Sequence, residues 1–275
     1  MQLGAVSNCW KAQLQTGTQL TAIIETAQQH GLQHIELRQT CLGQFESREG
    51  HIPLAKNLPE LPQQFSEMTF NLAIAFSFLS PTASTNDPLF QAARLAAQAL
   101  APKGLPHLRL VDLQTTPDKL NQLSPQDIGQ NIAQMVLAMS EVDGILSVEN
   151  SIQPWPALLA AIRSAQEILG PNQHKLKLCY DPANLFYVDD GIEPSDALAS
   201  LSASEISMVH FKQRQHNKPL AAVAQGDVDW EQQLAQLKTM NYNGPALFEI
   251  ESTENIWENL TSSQQYLERC GLSNF

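Results

Sequence analysis

The sequence predicts an α/β protein, a single (β/α)8 barrel over residues 1–275. Short apolar runs alternate with stretches whose apolar residues recur at helical spacing, and eight such pairs follow one another along the chain. Connections of that length force parallel strands with right-handed crossovers, and eight units close into a barrel. The last four runs share a further feature: each ends on a carboxylate or an imidazole.

Strand one is expected at 3–8, an apolar run between polar flanks. Thr18 then has the character of a helix N-cap. Leu20, Ile23, Ile24 and Ala27 follow at helical spacing, and Gly31 stops the helix. Strand two is expected at 33–38, with Glu36 and Arg38 on one face. The polar stretch 39–57 reads as a long loop, the kind that carries function in barrels. A short helix at 58–67 leads to strand three at 69–76. Asp87 opens a helix whose apolar face runs Leu89, Phe90, Ala93, Leu95, Ala96 and Leu100, before Pro102 and Gly104 close it. Strand four is expected at 107–113. Ser124-Pro-Gln-Asp127 starts a helix with proline at its first position, running to 142.

Strand five is the stretch 144–151, in which alternation puts Ile145, Ser147 and Glu149 on one face. A helix at 156–169 is stopped by Gly170-Pro171, and strand six covers 176–181. A helix at 195–204 precedes strand seven at 206–211. Asp229-Trp230 begins a helix ending near 240, and Asn243-Gly-Pro245 turns into strand eight at 246–250. The last helix is expected at 255–270.

Composition bounds the function. The formal net charge is −12 and the isoelectric point about 4.9, which argues against a nucleic-acid partner and against an anionic membrane surface. Cys9, Cys41, Cys179 and Cys270 are far apart and form no CxxC pair, so reduced thiols are expected. The first ten residues lack a basic, apolar leader pattern, and no apolar run is long enough to span a bilayer. The expectation is a soluble, cytoplasmic protein acting on a small molecule; a monomer and a homo-oligomer both stay open.

Glu149, Asp181, His210 and Glu249 end runs five, six, seven and eight. Functional groups of these barrels lie at the C-terminal ends of the strands, so the four should share one half of the mouth. Three carboxylates at one mouth repel one another, and a bound dication removes that cost. The residue types suit one divalent metal ion, Mn, Mg, Co or Zn, with positions left for water or substrate. Glu251 shares the parity of Glu249 and is its rival for the last place.

The ordered pieces Gly31-Leu-Gln-His-Ile-Glu-Leu-Arg38, Ser147-Val-Glu-Asn-Ser151, Cys179-Tyr-Asp-Pro-Ala-Asn184, Val209-His-Phe-Lys-Gln213, Gly226-Asp-Val-Asp-Trp230 and Phe248-Glu-Ile250 span nearly the whole chain. In that order they resemble the xylose isomerase-like TIM barrels, the group of sugar and sugar-phosphate isomerases and epimerases and of the endonuclease IV enzymes. The resemblance implies Glu149, Asp181, His210 and Glu249 as ligands of one divalent metal, with Glu149 and Glu249 also the acid–base pair. It implies enediolate chemistry on a small carbohydrate-like substrate: isomerisation or epimerisation. A metal-dependent dehydratase like the 3-dehydroshikimate and inosose enzymes is the alternative, and a catalytically inactive ligand-binding barrel is the third. Asn184 and Gln213 stand where many members carry histidine and aspartate. The histidine-rich cluster of the endonucleases has no counterpart among the seven histidines.

Lys212, two residues past His210, reads either as a catalytic cation that neutralises an enediolate or as the ion-pair partner of a site acid. Glu36, Arg38, Asn184, Arg109 and His51 are the substrate-binding candidates. Glu36 and Arg38 have an internal ion pair as the competing reading. For Arg109, the neighbouring Asp112 argues that the opposite face of strand four looks into the mouth.

Overall fold

The computed structural model describes residues 1–188, 190–216 and 218–275. Eight parallel strands close into one barrel: β1 Gln2–Val6, β2 His34–Arg38, β3 Thr69–Ala75, β4 His107–Val111, β5 Ile145–Glu149, β6 Leu176–Tyr180, β7 Ile206–Phe211 and β8 Pro245–Phe248. Each strand pairs with its sequence neighbours, and β8 pairs with β1 to close the ring. The predicted fold class holds.

Most helices start where the sequence signals them. Asp87 caps Pro88–Leu100 by accepting from the amides of Leu89 and Phe90. Ser124 caps Pro125–Ser140, and Asp229 caps Trp230–Thr239. These oxygens satisfy amide donors that the first helical turn leaves free. The expected cap at Thr18 gives way to Gln19 at the start of Leu20–Gln29. Strand one also ends earlier than expected, because the chain turns at Ser7–Trp10 into a 3-10 helix and then into the short helix Lys11–Gln15. The helix expected at 195–204 is one short piece, Pro194–Ala199. No helix among the described residues is long and apolar enough to cross a membrane.

The strands use their two faces differently. Residues such as Ile35, Leu72, Leu108, Leu146, Leu178, Val209 and Phe248 pack outward into one continuous core with the helices. The other face meets the lumen. There Val6, Cys179, Met208 and Leu247 form a separate apolar cluster from β1, β6, β7 and β8. Gly4 permits this packing, since a Cβ there would meet the His34 carbonyl oxygen at 2.2 Å and Leu247 Cδ2 at 2.5 Å.

The other half of the lumen is polar, unlike the branched apolar filling usual in such barrels. From the floor upward, Thr69 Oγ1 lies 2.7 Å from His34 Nδ1, and His34 Nε2 lies 2.7 Å from Asn71 Oδ1. Asn71 Nδ2 then donates to Glu36 Oε2 at 2.8 Å. His107 Nε2 meets Ser147 Oγ at 2.7 Å on the adjacent strands.

Burial holds the His34 imidazole below its ordinary pKa of 6.5, although Asn71 and Glu36 favour the proton. The unfolded chain therefore binds this proton more readily than the folded one. The contribution of His34 to stability is present above pH 6.5 and is lost as pH falls below it. Urea unfolding of wild type and His34→Gln at pH 7 and pH 5 should show the smaller pH-dependent loss in the variant; equal losses would contradict this.

Candidate metal centre

The four sequence-predicted strand-end residues meet at the C-terminal mouth. Glu149 is the last residue of β5, Asp181 follows β6, His210 lies near the end of β7, and Glu249 follows β8. One ligand atom from each lies within 4.8 Å of the other three, and all four residues are buried. His210 Nδ1 is at the centre, 3.2 Å from Glu149 Oε1, 3.5 Å from Glu249 Oε2 and 3.9 Å from Asp181 Oδ2. Glu251, the rival for the last place, is exposed and outside the cluster.

Each carboxylate has one oxygen tied down. Arg109 Nη1 donates to Glu149 Oε2. The amides of Ala183 and Asn184 donate to Asp181 Oδ1 at 2.9 and 3.1 Å, just ahead of the 3-10 turn Asn184–Tyr187. Asn8 Nδ2 donates to Glu249 Oε1 at 3.0 Å. The remaining oxygens face His210 Nδ1. Asn150 exchanges two hydrogen bonds with the backbone of Asp181, its Nδ2 to the carbonyl and its Oδ1 from the amide, and so fixes where that carboxylate starts.

The donor set fits a divalent cation. Asp181 Oδ2 and His210 Nδ1 are buried without a hydrogen-bond partner among the described residues. Such orphaned polar atoms are costly unless something occupies the space between them. The charges agree. Among the described residues, Glu36, Glu149, Asp181 and Glu249 face two permanent cations, Arg109 and Lys212, which leaves two negative charges with neutral His210. Without a bound ion the strain falls on protons. Burial works against protonation of His210, but Cys179 and both glutamates outweigh it and push its pKa well up. Burial, with Glu249 and Glu149 nearby, pushes the Asp181 carboxyl up to about 6 against the pull of Lys212.

Lys212 reaches into the cluster. Its Nζ lies 3.0 Å from Glu249 Oε2, 3.5 Å from Asp181 Oδ2 and 3.2 Å from Asn184 Oδ1. Asn184 in turn reaches Glu149 Oε1 at 3.4 Å and the Asn150 carbonyl at 3.0 Å. Asn184 is therefore woven into the acid cluster from below the rim.

The remaining substrate-binding candidates fall in two places. Glu36 and Arg109 are fully buried in the lumen and paired with each other. The parity argument that turned Arg109 away from the mouth fails, because β4 stops at Val111. Asp112 belongs to the following turn, where it accepts from Leu79, Gln114 and Thr115. Arg38 and His51 lie on the β2 side: Arg38 Nη1 donates to the Gln39 carbonyl at 3.2 Å, and His51 pairs with Glu46 Oε1 at 3.3 Å.

Sequence reasoning passed over Asn8, Asn150 and Cys179. The available signal was position alone: a polar or thiol residue within two places of a strand end. Gln213 also has a local explanation. Its buried side chain donates to the Ala224 and Val228 carbonyls and accepts from the Arg214 and Val228 amides, which folds the loop after β7 back on itself. Gly226 completes this closure, since a Cβ there would meet the Arg214 carbonyl oxygen at 2.4 Å. Gln213→Ala strands those four backbone groups and should cost about 1–3 kcal/mol. Urea unfolding measures it, and a loss below about 0.5 kcal/mol would contradict the assignment.

Fold and site together define a barrel with three carboxylates and a histidine gathered at its mouth. A family model described as a xylose isomerase-like TIM barrel matches residues 24–270, and the chain belongs to that family. A search of curated proteins gives no match. Among solved structures, the chain is similar to the probable 3-DHS dehydratase AsbF from Bacillus anthracis, with TM-score 0.73, 16% identity, and 98% of this chain and 99% of that one covered. It is similar to a D-tagatose 3-epimerase-like protein with TM-score 0.68, 17% identity and full coverage of both chains. It is also similar to the IOLI protein, whose structure has a bound zinc atom, with TM-score 0.67, 14% identity, and 99% and 97% of the two chains covered.

Proposed function

We propose that this protein is a divalent-metal-dependent isomerase or epimerase of a small sugar or other polyhydroxylated carbonyl compound. The observation that carries this reading is the convergence of Glu149, Asp181, His210 and Glu249 on the unpartnered Nδ1 of His210. Family membership and the likeness to an epimerase-like structure support it.

Glu149, Asp181, His210 and Glu249 would hold the ion, as Mn²⁺, Mg²⁺, Co²⁺ or Zn²⁺; the zinc in the similar IOLI structure supports a cation of this size. When bound, the ion would polarise a substrate carbonyl and acidify the neighbouring C–H. Glu149 and Glu249 come from β5 and β8, with Asp181 and His210 between them in the barrel order. In this reading one glutamate takes the proton from carbon and the other returns a proton at the opposite face or the adjacent carbon. Lys212, beside Glu249 Oε2, stabilises the negative charge that develops on substrate oxygen.

The dehydratase alternative is favoured by the likeness to the probable 3-DHS dehydratase across both chains. One experiment separates the readings. The protein is loaded with Mn²⁺ and incubated in deuterated water with a panel of ketoses, inososes and 3-dehydroshikimate, followed by NMR and ultraviolet absorbance. Solvent deuterium at the carbon next to the carbonyl, with mass otherwise conserved, supports the isomerase or epimerase. A conjugated, absorbing product supports the dehydratase. No exchange on any substrate supports a binding barrel.

A further inference from the structure

We infer that Glu36 and Arg109 form a buried positioning pair for the cation site, one carboxylate and one guanidinium that aim two of its ligands from inside the barrel. This inference rests on the metal centre proposed above and adds residues that contribute no ligand atom to it.

The geometry is that of a clamp. Arg109 Nε lies 3.1 Å from both oxygens of Glu36, and its Nη2 also donates to Glu36 Oε1. Its remaining arm, Nη1, donates to Glu149 Oε2. The planar fork thus fixes Glu149 against a second carboxylate rather than against solvent. With Oε2 occupied, Glu149 presents Oε1 to the cluster, 3.2 Å from His210 Nδ1.

Glu36 also backs His210. Its Oε1 lies 3.6 Å from His210 Nε2, and Cys179 Sγ lies 3.3 Å from the same nitrogen. A histidine that ligates through Nδ1 must carry its proton on Nε2, and the hydrogen bond there to Cys179 Sγ, with the Glu36 charge beside it, fixes that tautomer and the ring plane. One buried carboxylate therefore stands behind two of the four ligands.

The pair is itself braced. Asn71 holds Glu36 Oε2, and His34 and Thr69 hold Asn71 in turn, down to the barrel floor. Glu36 and Arg109 are fully buried in the lumen. Their side chains span β2, β4 and β5, the half of the barrel that otherwise supplies only Glu149 to the cluster.

The double variant Glu36→Gln with Arg109→Met tests this. It removes one negative and one positive charge together, so the two uncompensated charges of the site are unchanged and only the clamp is lost. Metal-stripped wild type and variant are titrated with Mn²⁺, followed by electron paramagnetic resonance, and with Co²⁺, followed by its visible spectrum. Circular dichroism melts establish that both are folded. The expected result is one ion per chain in both proteins, with Mn²⁺ affinity lowered about 10–100-fold in the variant and an altered Co²⁺ spectrum. A loss of helix packing with no role at the ligands would leave the Co²⁺ spectrum unchanged. Equal affinity and an identical spectrum in the two proteins would overturn the positioning role while the cation site stands. A wild type that takes up neither ion would overturn both. Should the double variant not fold, Arg109→Lys, which keeps the charge and loses the fork, is judged by the same two readouts.

Discussion

Glu149→Gln is expected to lower turnover by about 10²–10⁴-fold, the range for removing a positioned general acid or base. Glutamine keeps a single oxygen, which serves either Arg109 Nη1 or the cluster, so the fold should survive while cation affinity falls. It cannot accept a proton from carbon. The companion variant, Glu249→Gln, is the mirror case: in each variant the remaining glutamate would still remove and return a proton at its own face, so solvent deuterium would enter the epimer whose C–H faces that glutamate, without net product. The measurement is NMR of isotope exchange beside product formation, on the substrate that wild type converts. Turnover retained within a few fold in both variants would contradict the two-glutamate mechanism.

Arg109→Met alone is expected to produce the largest stability loss of any single change discussed here, about 3–5 kcal/mol. The arginine sits fully buried between Glu36 and Glu149, and its removal leaves two carboxylates in a low-dielectric lumen with Asn71, Asn184 and His210 to meet them among the described residues. Burial lowers the tendency of Arg109 to stay charged, but the two glutamates hold its pKa well above the ordinary arginine value. The same arginine outweighs the burial cost at Glu36 and holds that carboxyl well below the usual range. Adding Glu36→Gln to Arg109→Met should recover part of the loss, because one of the stranded charges is then removed. Urea unfolding of the two variants and wild type measures this. A single-variant loss under about 1 kcal/mol, or no recovery in the pair, would contradict the account.

The fold was legible because periodicity and punctuation agreed. Apolar runs of strand length alternated with helical faces, and Asp87, Ser124 and Asp229 marked helix starts that the structure keeps. Short elements were not legible. Lys11–Gln15 and Pro117–Leu120 are too brief to show a period, and the polar Ser7 and Asn8 were read as the end of a strand rather than the start of a turn.

The candidate ligands were legible for a related reason. An acid at the end of an apolar strand is unusual, and four such ends in succession point to one place. What alternation does not give is the partner across the lumen. Glu36 and Arg109 are 73 residues apart, and nothing local to either names the other. Parity also misled at Arg109, because it assumed that strand four continues through Asp112. Asn8 lies 241 residues from the Glu249 carboxylate it holds, so its role becomes visible only when β1 and β8 are seen side by side.

The proposed chemistry requires a divalent cation among Glu149, Asp181, His210 and Glu249. The most direct measurement is anomalous diffraction from crystals of the protein soaked in Mn²⁺. One strong peak per chain is expected, about 2.0–2.5 Å from a carboxylate oxygen of each acid and from His210 Nδ1. No peak there, with Lys212 or protonated His210 filling the space instead, would contradict it.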